Sequence, residues 1–296
     1  MKTNRTNDRR IALNNNWLKQ LPISKIKNTT AVSGGDVNDA YALETANDKY
    51  FLLVQPNTSK EFFVTEAAGL KDLKDADINV PDVYEVGEID GDAYLLISYL
   101  EEGNAGSYTD LAELVANMHQ KTSSNQQFGY PHPHQGNDTS FRNDWTDSWI
   151  ELFVERRMDK LRDEILAANK WKKSQAETYE RVREIMVEEL SSHDNEPSFL
   201  HGDLWGGNHM FQANGEPAIF DPAPFYGDRE FDLGVTTSFG AFPQEFYDAY
   251  QEAFPMSEGY EKRLAFYRLY VFMVHLLKFG GLYESRVDQT MCEILT

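Results

Sequence analysis

The sequence predicts an α+β protein with a small, strand-rich lobe at residues 1–99 and a larger, mainly helical lobe at residues 100–296. Short segments separated by turn residues fill the first part, whereas apolar residues at helical spacing dominate the second. The chain has 296 residues, 41% of them hydrophobic, which is enough for a substantial core. We therefore expect a ligand cleft between the lobes, with the hinge at residues 100–106.

Five short strands and one helix are predicted in the first lobe. The helix runs through Lys74, carries an apolar stripe at helical spacing, and has Thr58 or Ser59 as its N-cap. The turn-rich spacers between the strands indicate an antiparallel meander. The predicted strands cover residues 28–32, 39–44, 50–54, 83–88 and 93–98.

Five longer helices are predicted in the second lobe. Each shows apolar residues three and four positions apart, which is typical of a helix with one buried face. Between the third and the fourth helix, short apolar segments are interrupted by a polar motif. The predicted helices cover residues 111–120, 145–168, 175–190, 245–254 and 261–279.

Composition excludes several classes of function. The formal charge of −20 argues against nucleic acid and anionic membrane surfaces as partners. Cys292 is the only cysteine, so the chain has no intrachain disulfide and fits a reducing compartment. The N-terminus has no apolar run typical of a secretory signal, and the apolar segment 269–277 is too short to span a bilayer. We expect a cytoplasmic protein.

One polar motif predicts the chemistry. Asp203 is followed five residues later by Asn208, and thirteen residues after that by Asp221, which follows two apolar residues. Kinase catalytic loops use this order, with a base that accepts the proton of the substrate hydroxyl and two ligands that hold Mg²⁺. The spacing predicts phosphoryl transfer from ATP, with Asp203 as the catalytic base and Asn208 and Asp221 as ligands of Mg²⁺. Either half of the motif alone is equally typical of an ordinary polar turn.

Two neighbouring residues are assigned structural roles. His201 is expected to hydrogen-bond within the loop that carries Asp203, and Asp232 is expected to brace that loop. Neither is predicted to transfer a proton.

The expected nucleotide contacts in the first lobe are less complete. Gly34 and Gly35 lie between two predicted strands, where a loop could cover the ATP phosphates. Glu66 lies on the predicted helix, at the place where kinases have a glutamate that pairs with a strand lysine. The corresponding strand has Leu53 and no lysine, so Lys49 or Lys60 is the alternative source of a cation.

The segments at residues 200–208 and 221–233 resemble the signature of the fructosamine kinase (ketosamine-3-kinase) family, and the likeness extends over nearly the whole chain. This resemblance implies a bilobal, protein-kinase-like fold and ATP-dependent phosphorylation of the sugar 3-hydroxyl of ketoamines such as fructoselysine or ribuloselysine. It also implies an unstable 3-phosphate whose decomposition releases the amine and reverses glycation.

The resemblance further implies that the hinge backbone, Ser98, Tyr99 and Leu100, holds adenine. The family pattern has a lysine where this chain has Leu53. Two alternatives therefore stay open: a kinase of the aminoglycoside or choline kinase type, and a pseudokinase that binds nucleotide without turnover. The sequence specifies neither the preferred ketoamine, free or protein-bound, nor the oligomeric state.

Overall fold

The computed structural model describes residues 13–32, 38–135 and 139–296. Its main sheet has five antiparallel strands in the order β1-β2-β3-β5-β4, and the observed strands agree with the predicted ones to within one residue at each end. The pairs β1–β2 and β2–β3 confirm the meander that the turn-rich spacers predict for the first three strands, whereas β5, and not β4, pairs with β3. The strands are β1 (Asn28–Val32), β2 (Asp39–Glu44), β3 (Lys49–Gln55), β4 (Val83–Ile89) and β5 (Asp92–Ser98).

The two faces of the sheet bury different sets of side chains, because successive residues of a strand point to opposite sides. On β3, Leu52 and Val54 face a small cluster that is closed by Trp17 from the N-terminal segment. Phe51 and Leu53 face the other way and pack against the main core. The position that would carry the strand lysine is therefore an apolar contact.

Helix α2 (Glu61–Asp75) packs on the main-core face through Phe63, Ala67 and Leu70. The predicted N-cap at Thr58 or Ser59 is wrong, because the helix begins at Glu61 with Lys60 at the cap position and no side-chain cap bond. The preceding turn is closed by backbone instead, with the amide of Phe62 donating to the carbonyl of Ser59 at 3.1 Å.

The rest of the chain is mainly helical, and all five predicted helices are present with shifted ends. The predicted helix at 145–168 begins only at Ile150, where Ile150–Asp159 forms a π-helix that continues into α4. No helix of the described residues is long and apolar enough to cross a membrane. The helices are α1 (Asn15–Leu18), α3 (Tyr108–His119), α4 (Lys160–Ala167), α5 (Lys173–Ser192), α6 (Glu230–Thr236), α7 (Gln244–Ala253), α8 (Tyr260–Phe279) and α9 (Glu284–Ile294).

Short strand pairs lie between α5 and α6 and carry the polar motif. Strand β8 (Ser198–Leu200) pairs with β11 (Phe225–Gly227), and β9 (His209–Phe211) pairs with β10 (Pro217–Ile219). A further pair joins β6 (His134–Gln135) to β7 (Ser140–Phe141).

The chain that leaves β5 runs along the β9–β10 hairpin. The amide of Gly103 donates to the carbonyl of Phe211 at 2.7 Å, and the amide of Ala213 donates to Glu101 at 2.9 Å. A Cβ at Gly103 would lie 2.2 Å from the carbonyl oxygen of Gln212, so only glycine allows this close approach. These bonds place the end of β5 next to the polar motif.

Candidate active site

The loop after β8 holds Asp203 at the end of a buried strand. Gly202 has a φ of +81°, and a Cβ there would lie 1.9 Å from the carbonyl oxygen of Ala223. A residue with a side chain could not make this turn without displacing the neighbouring loop. The Asp203 side chain is exposed to solvent, as a group that must meet a substrate has to be.

Asp203 and Asn208 are joined directly. The Asn208 amide nitrogen donates to the Asp203 carbonyl at 2.8 Å and to its Oδ2 at 3.2 Å. Because its Nδ2 makes both bonds, the buried Asn208 keeps its Oδ1 as an acceptor for a further ligand. The five-residue spacing therefore produces a tight turn in which one side chain orients the other.

His201 is fully buried and supports the same turn. Its Nε2 lies 3.0 Å from the carbonyl of Phe220, which can only accept, so Nε2 carries the proton. Nδ1 is then free to accept from the backbone amide of Asp203 at 3.3 Å. Burial lowers the pKa of His201, which keeps this tautomer neutral. These bonds agree with the structural role predicted for His201.

Asp232, on α6, holds the backbone of this loop in place. Its two carboxylate oxygens accept from the backbone amides of His201 at 2.7 Å and Gly202 at 2.8 Å. Asp232 is completely buried on α6, and His119 of α3 lies 3.2 Å from it through Nε2. A buried carboxylate held by three donors fixes the backbone immediately before Asp203, as its predicted role requires.

The segment that carries Asp221 is tied to this loop. The amide of Phe220 donates to the Asn208 carbonyl at 3.0 Å, and the amide of Ala223 donates to the His201 carbonyl at 2.8 Å. Asp221 itself has a φ of +59°, a conformation that is uncommon for a residue other than glycine. Strained backbone of this kind is typical of functional sites, and here it directs an exposed carboxylate away from the buried strand β10.

The electrostatic potential at this site is negative. Burial raises the pKa of Asp203 to about 7, and the neighbouring Asp221 carboxylate contributes to the rise. Burial also raises the pKa of Asp221. Both side chains reach solvent, but the surrounding protein removes much of their hydration, so two carboxylates share a poorly solvated region. Such a site favours a cation.

The oxygen donors at the site suit Mg²⁺. The free Oδ1 of Asn208 and the carboxylate of Asp221 are the hard oxygen ligands that this ion prefers, with phosphate and water completing its shell. The residues present therefore fit the ion that the motif predicts.

Two side chains near Asp203 were not predicted from the sequence. Lys278, near the end of α8, partly offsets the rise in the pKa of Asp203. Tyr270, on the same helix, is half-buried, and desolvation raises its pKa, with a further contribution from the Asp203 carboxylate. Both come from a helix far along the chain, so no local spacing connects them with the motif.

Aromatic side chains line the surface next to Asp203. Trp205, two residues along the loop, is 41% exposed and meets the exposed Phe239 edge to face at 6.3 Å. Phe239 in turn contacts His275 at 5.1 Å between ring centroids. Large, solvent-exposed apolar rings next to Asp203 indicate a surface for binding a substrate.

The predicted nucleotide contacts in the first part of the chain lie partly within the described residues. Gly34 and Gly35 lie outside the described residues. Ser98 ends β5, and its Oγ accepts from the amide of Asp82 at 2.9 Å. Tyr99 and Leu100 follow directly and are half-buried, with the Tyr99 ring packed on Phe51 at 6.5 Å.

Glu66 lies on α2 and is half-buried. Burial raises the pKa of Glu66 well above its usual range, and the Asp221 carboxylate raises it further. The two predicted site residues therefore lie close enough to interact, although they come from different parts of the chain.

A family model described as "Fructosamine kinase" matches residues 12–296. A probable ketoamine kinase of Staphylococcus aureus is 50% identical over 283 residues, which cover 96% of this chain and 98% of the relative. Protein-ribulosamine 3-kinase from the chloroplast of Oryza sativa subsp. japonica is 32% identical, over 88% of this chain and 77% of the relative.

Solved structures agree on the fold. A crystal structure from Haemophilus somnus, provisionally named a fructosamine-3-kinase, superposes with a TM-score of 0.81 at 27% identity and covers 92% of each chain. An aminoglycoside phosphotransferase superposes with a TM-score of 0.64 at 12% identity, over 91% of this chain and 95% of its own. The predicted bilobal, protein-kinase-like α+β fold is therefore confirmed.

Proposed function

This chain belongs to the fructosamine kinase family, and on that basis we propose that it transfers the γ-phosphoryl group of ATP to the 3-hydroxyl of a ketoamine. The sugar oxygen forms a bond to the γ-phosphorus, the bond from that phosphorus to the β–γ bridging oxygen breaks, and ADP leaves. The observation that carries this proposal is the exposed Asp203, fixed by Asn208 and Asp232 in a loop next to Asp221.

We assign Asp203 the role of catalytic base. Its carboxylate orients the 3-hydroxyl and accepts the proton as the new bond to phosphorus forms. The protein supplies little covalent chemistry to this reaction, so most of the rate enhancement comes from positioning and from neutralising charge. The bonds from Asn208 and from the braced backbone hold the carboxylate in one orientation.

We assign Asn208 and Asp221 to Mg²⁺. When bound, the ion neutralises phosphate charge and lowers the repulsion between the nucleotide and the carboxylates of the site. Adenine is assigned to the backbone of Ser98, Tyr99 and Leu100, between a lobe at residues 1–99 and a lobe at 100–296. Gly34 and Gly35 are assigned to the phosphates.

We propose that the acceptor is a small-molecule or protein-bound fructosamine or ribulosamine, with neither nucleic acid nor membrane as a partner, and that the protein works in the cytoplasm. Enolisation toward C1 expels inorganic phosphate from C3, and water then hydrolyses the resulting imine, which frees the amine and leaves a 3-deoxy dicarbonyl sugar. The high negative charge suits an acceptor whose secondary amine is protonated.

The test is ADP release with Mg-ATP and synthetic ribuloselysine or fructoselysine. We expect release that depends on the acceptor, and a kcat about 10²–10⁴-fold lower in Asp203→Asn with nucleotide affinity nearly unchanged. Asn is isosteric, so the loop keeps its shape while the base is lost. Comparable turnover by the variant would disprove the assignment of the base.

Two other outcomes would redirect the proposal. Turnover with an aminoglycoside or an amino alcohol, and none with either ketoamine, would place the chain with kinases of other small molecules. Nucleotide binding without turnover of any acceptor would favour the pseudokinase that Leu53 suggests.

A further inference from the structure

Exposed apolar side chains are concentrated in one part of the structure. Among residues 13–32, 38–135 and 139–296, five large hydrophobic side chains are exposed, and four of them come from the loop of Asp203, the turn after α6 and the end of α8. Single exposed apolar residues are ordinary on a protein surface, whereas a contiguous group marks a binding surface. The four are Trp205, Phe239, Phe279 and Leu282, and the fifth is Tyr84 on β4.

Ring contacts join these side chains into one surface. His275 on α8 lies at its centre, with ring centroids 5.1 Å from Phe239 and 5.5 Å from Phe279. Tyr283, just before α9, contacts His275 at 4.9 Å and Phe279 at 6.0 Å. Trp205 adjoins Phe239 at 6.3 Å. The aromatic surface is defined as Trp205, Phe239, His275, Phe279, Leu282 and Tyr283.

The turn between α8 and α9 gives the surface its shape. Helix α8 ends at Phe279, and Gly280 follows with a φ of +77°, which glycine adopts without strain. The amide of Gly280 donates to the carbonyl of Leu276 at 3.0 Å, and the amide of Tyr283 donates to the carbonyl of Gly280 at 3.1 Å. Leu282 belongs to this hydrogen-bonded turn and is 83% exposed. The backbone therefore presents these apolar side chains at fixed positions.

The aromatic surface begins at the proposed base. Trp205 lies two residues after Asp203 in the same loop. At the other end, Lys278 lies over the Phe279 ring at 4.9 Å and partly offsets the rise in the pKa of Asp203. In a ketoamine the nitrogen is bound to C1, two carbons from the 3-hydroxyl. When that hydroxyl contacts Asp203, the group attached to the nitrogen is within reach of the aromatic surface.

The chemistry of this surface favours a polypeptide over a free amino acid. Free ribuloselysine has an ammonium and a carboxylate group on its α-carbon, and apolar rings displace the water from both without replacing its hydrogen bonds. Lys278, at the edge, could pair with the carboxylate alone. In a polypeptide the same positions are neutral amides, and the neighbouring side chains can be apolar. Aromatic side chains are also enriched where proteins bind one another.

We propose that the aromatic surface binds the polypeptide segment next to a glycated lysine and selects acceptors with apolar side chains beside that lysine. This inference rests on the proposed function and names the protein-bound class among its acceptors. A membrane is a poor occupant, because the formal charge of −20 repels anionic lipid. A second copy of the chain is the other possible occupant, and the test includes it.

The test compares acceptors that differ only beside the glycated lysine. The acceptors are free ribuloselysine, a peptide with ribuloselysine between serines, and the same peptide with leucines in place of those serines. ADP release with Mg-ATP gives kcat/KM for each. The variants are Leu282→Ser, the double variant Phe279→Gln with Leu282→Ser, and Tyr84→Ser as control. Tyr84 is 54% exposed and lies on β4, outside the aromatic surface.

We expect the native kcat/KM to be about tenfold higher for the leucine peptide than for the serine peptide or free ribuloselysine, because apolar side chains are buried against the surface. The difference should lie in KM, since such contacts form equally in the ground and transition states. The preference should fall to about threefold in Leu282→Ser and disappear in the double variant, but persist in Tyr84→Ser. Thermal unfolding checks each fold, and Leu282→Ser decides the question if the double variant does not fold.

Three results would overturn the inference and leave the proposed function standing. They are a kcat/KM for free ribuloselysine as high as for the leucine peptide, equal values for the two peptides, and a leucine preference that persists in the double variant. Light scattering tests the second copy, because a native dimer that becomes a monomer in the double variant would make the surface an interface between copies. Absence of ADP release with every acceptor would instead refute the proposed function, and the inference with it.

Discussion

The two sides of the candidate site are built differently. On the side of the catalytic loop, Asp232 satisfies two backbone amides, His201 uses both ring nitrogens, and Asn208 fixes Asp203. On the side of α2 and β3, Glu66 has no cationic partner among the described residues, and Leu53 supplies only packing. The protein itself fixes the geometry of the proposed base. On the side of α2 and β3, no described basic residue pairs with Glu66, so a bound ligand has to balance its charge.

The largest effect is expected from removing the brace. Asp232→Ala leaves the amides of His201 and Gly202 without their acceptor in a buried region, which should lower the free energy of unfolding by about 2–5 kcal/mol. Because the backbone before Asp203 is released, kcat should fall by about 10²-fold in the protein that remains folded. Urea unfolding and ADP release measure the two effects.

Glu177→Ala is the control for Asp232→Ala. Glu177 is an exposed carboxylate on α5 whose ion pair with Lys173 spans one helical turn at 3.6 Å. Its removal should change the free energy of unfolding by less than about 0.5 kcal/mol and leave kcat unchanged. If Asp232→Ala behaved like this control, the catalytic loop would not depend on its brace, and the contrast between the two sides would disappear.

The sequence predicted those elements of the fold that have clear local signals, such as flanking turn residues or an amphipathic pattern. The boundaries of β1 and β2 were predicted without error, because turn residues flank both strands. Helix α6 was missed because all seven of its residues are buried, so it shows no alternation between an apolar and a polar face. The π-helix was missed as well, because its residues have ordinary helical spacing.

The residues of the candidate site also fall into two groups, those linked by local spacing and those linked only by tertiary packing. The structure brings Asp203, Asn208 and Asp221 together, because one loop and one strand pair fix their spacing. The proximity of Glu66 to Asp221 depends on the packing of α2, and that of Lys278 to Asp203 depends on α8. Such contacts are set by tertiary structure, which no local pattern in one sequence records.

A smaller effect is expected from the raised pKa of Asp203, which is due first to burial and then to the neighbouring Asp221 carboxylate. The folded-state pKa of Asp203 is about 7, above its usual value of 3.8, so the folded protein binds a proton that the unfolded chain has released. The unfolding free energy of the native protein should therefore fall, through this group, as the pH rises from about 4 to about 7. Asp203→Asn removes the charge, so it should be more stable than the native protein at about pH 8 and no more stable at about pH 4.

Urea unfolding at several pH values, with a chelator present, measures this difference. Saturating Mg²⁺ should reduce it, because a cation at Asp221 favours the ionised form of Asp203. Mg²⁺ should likewise move the pH midpoint of kcat/KM below about 7. A difference in stability that did not vary with pH would show that folding does not raise the pKa of Asp203.

The smallest effect is expected from Lys49→Met. This change removes the ammonium group that pairs with Glu101 but keeps the length and the apolar stem of the side chain. Because the pair is exposed, we expect no measurable change in stability and a change in nucleotide affinity of less than about threefold, measured by calorimetric titration. A loss of affinity of about tenfold or more would contradict this expectation. It would make the hinge lysine the replacement for the missing strand lysine, and the nucleotide side would then balance its charge with a residue of its own.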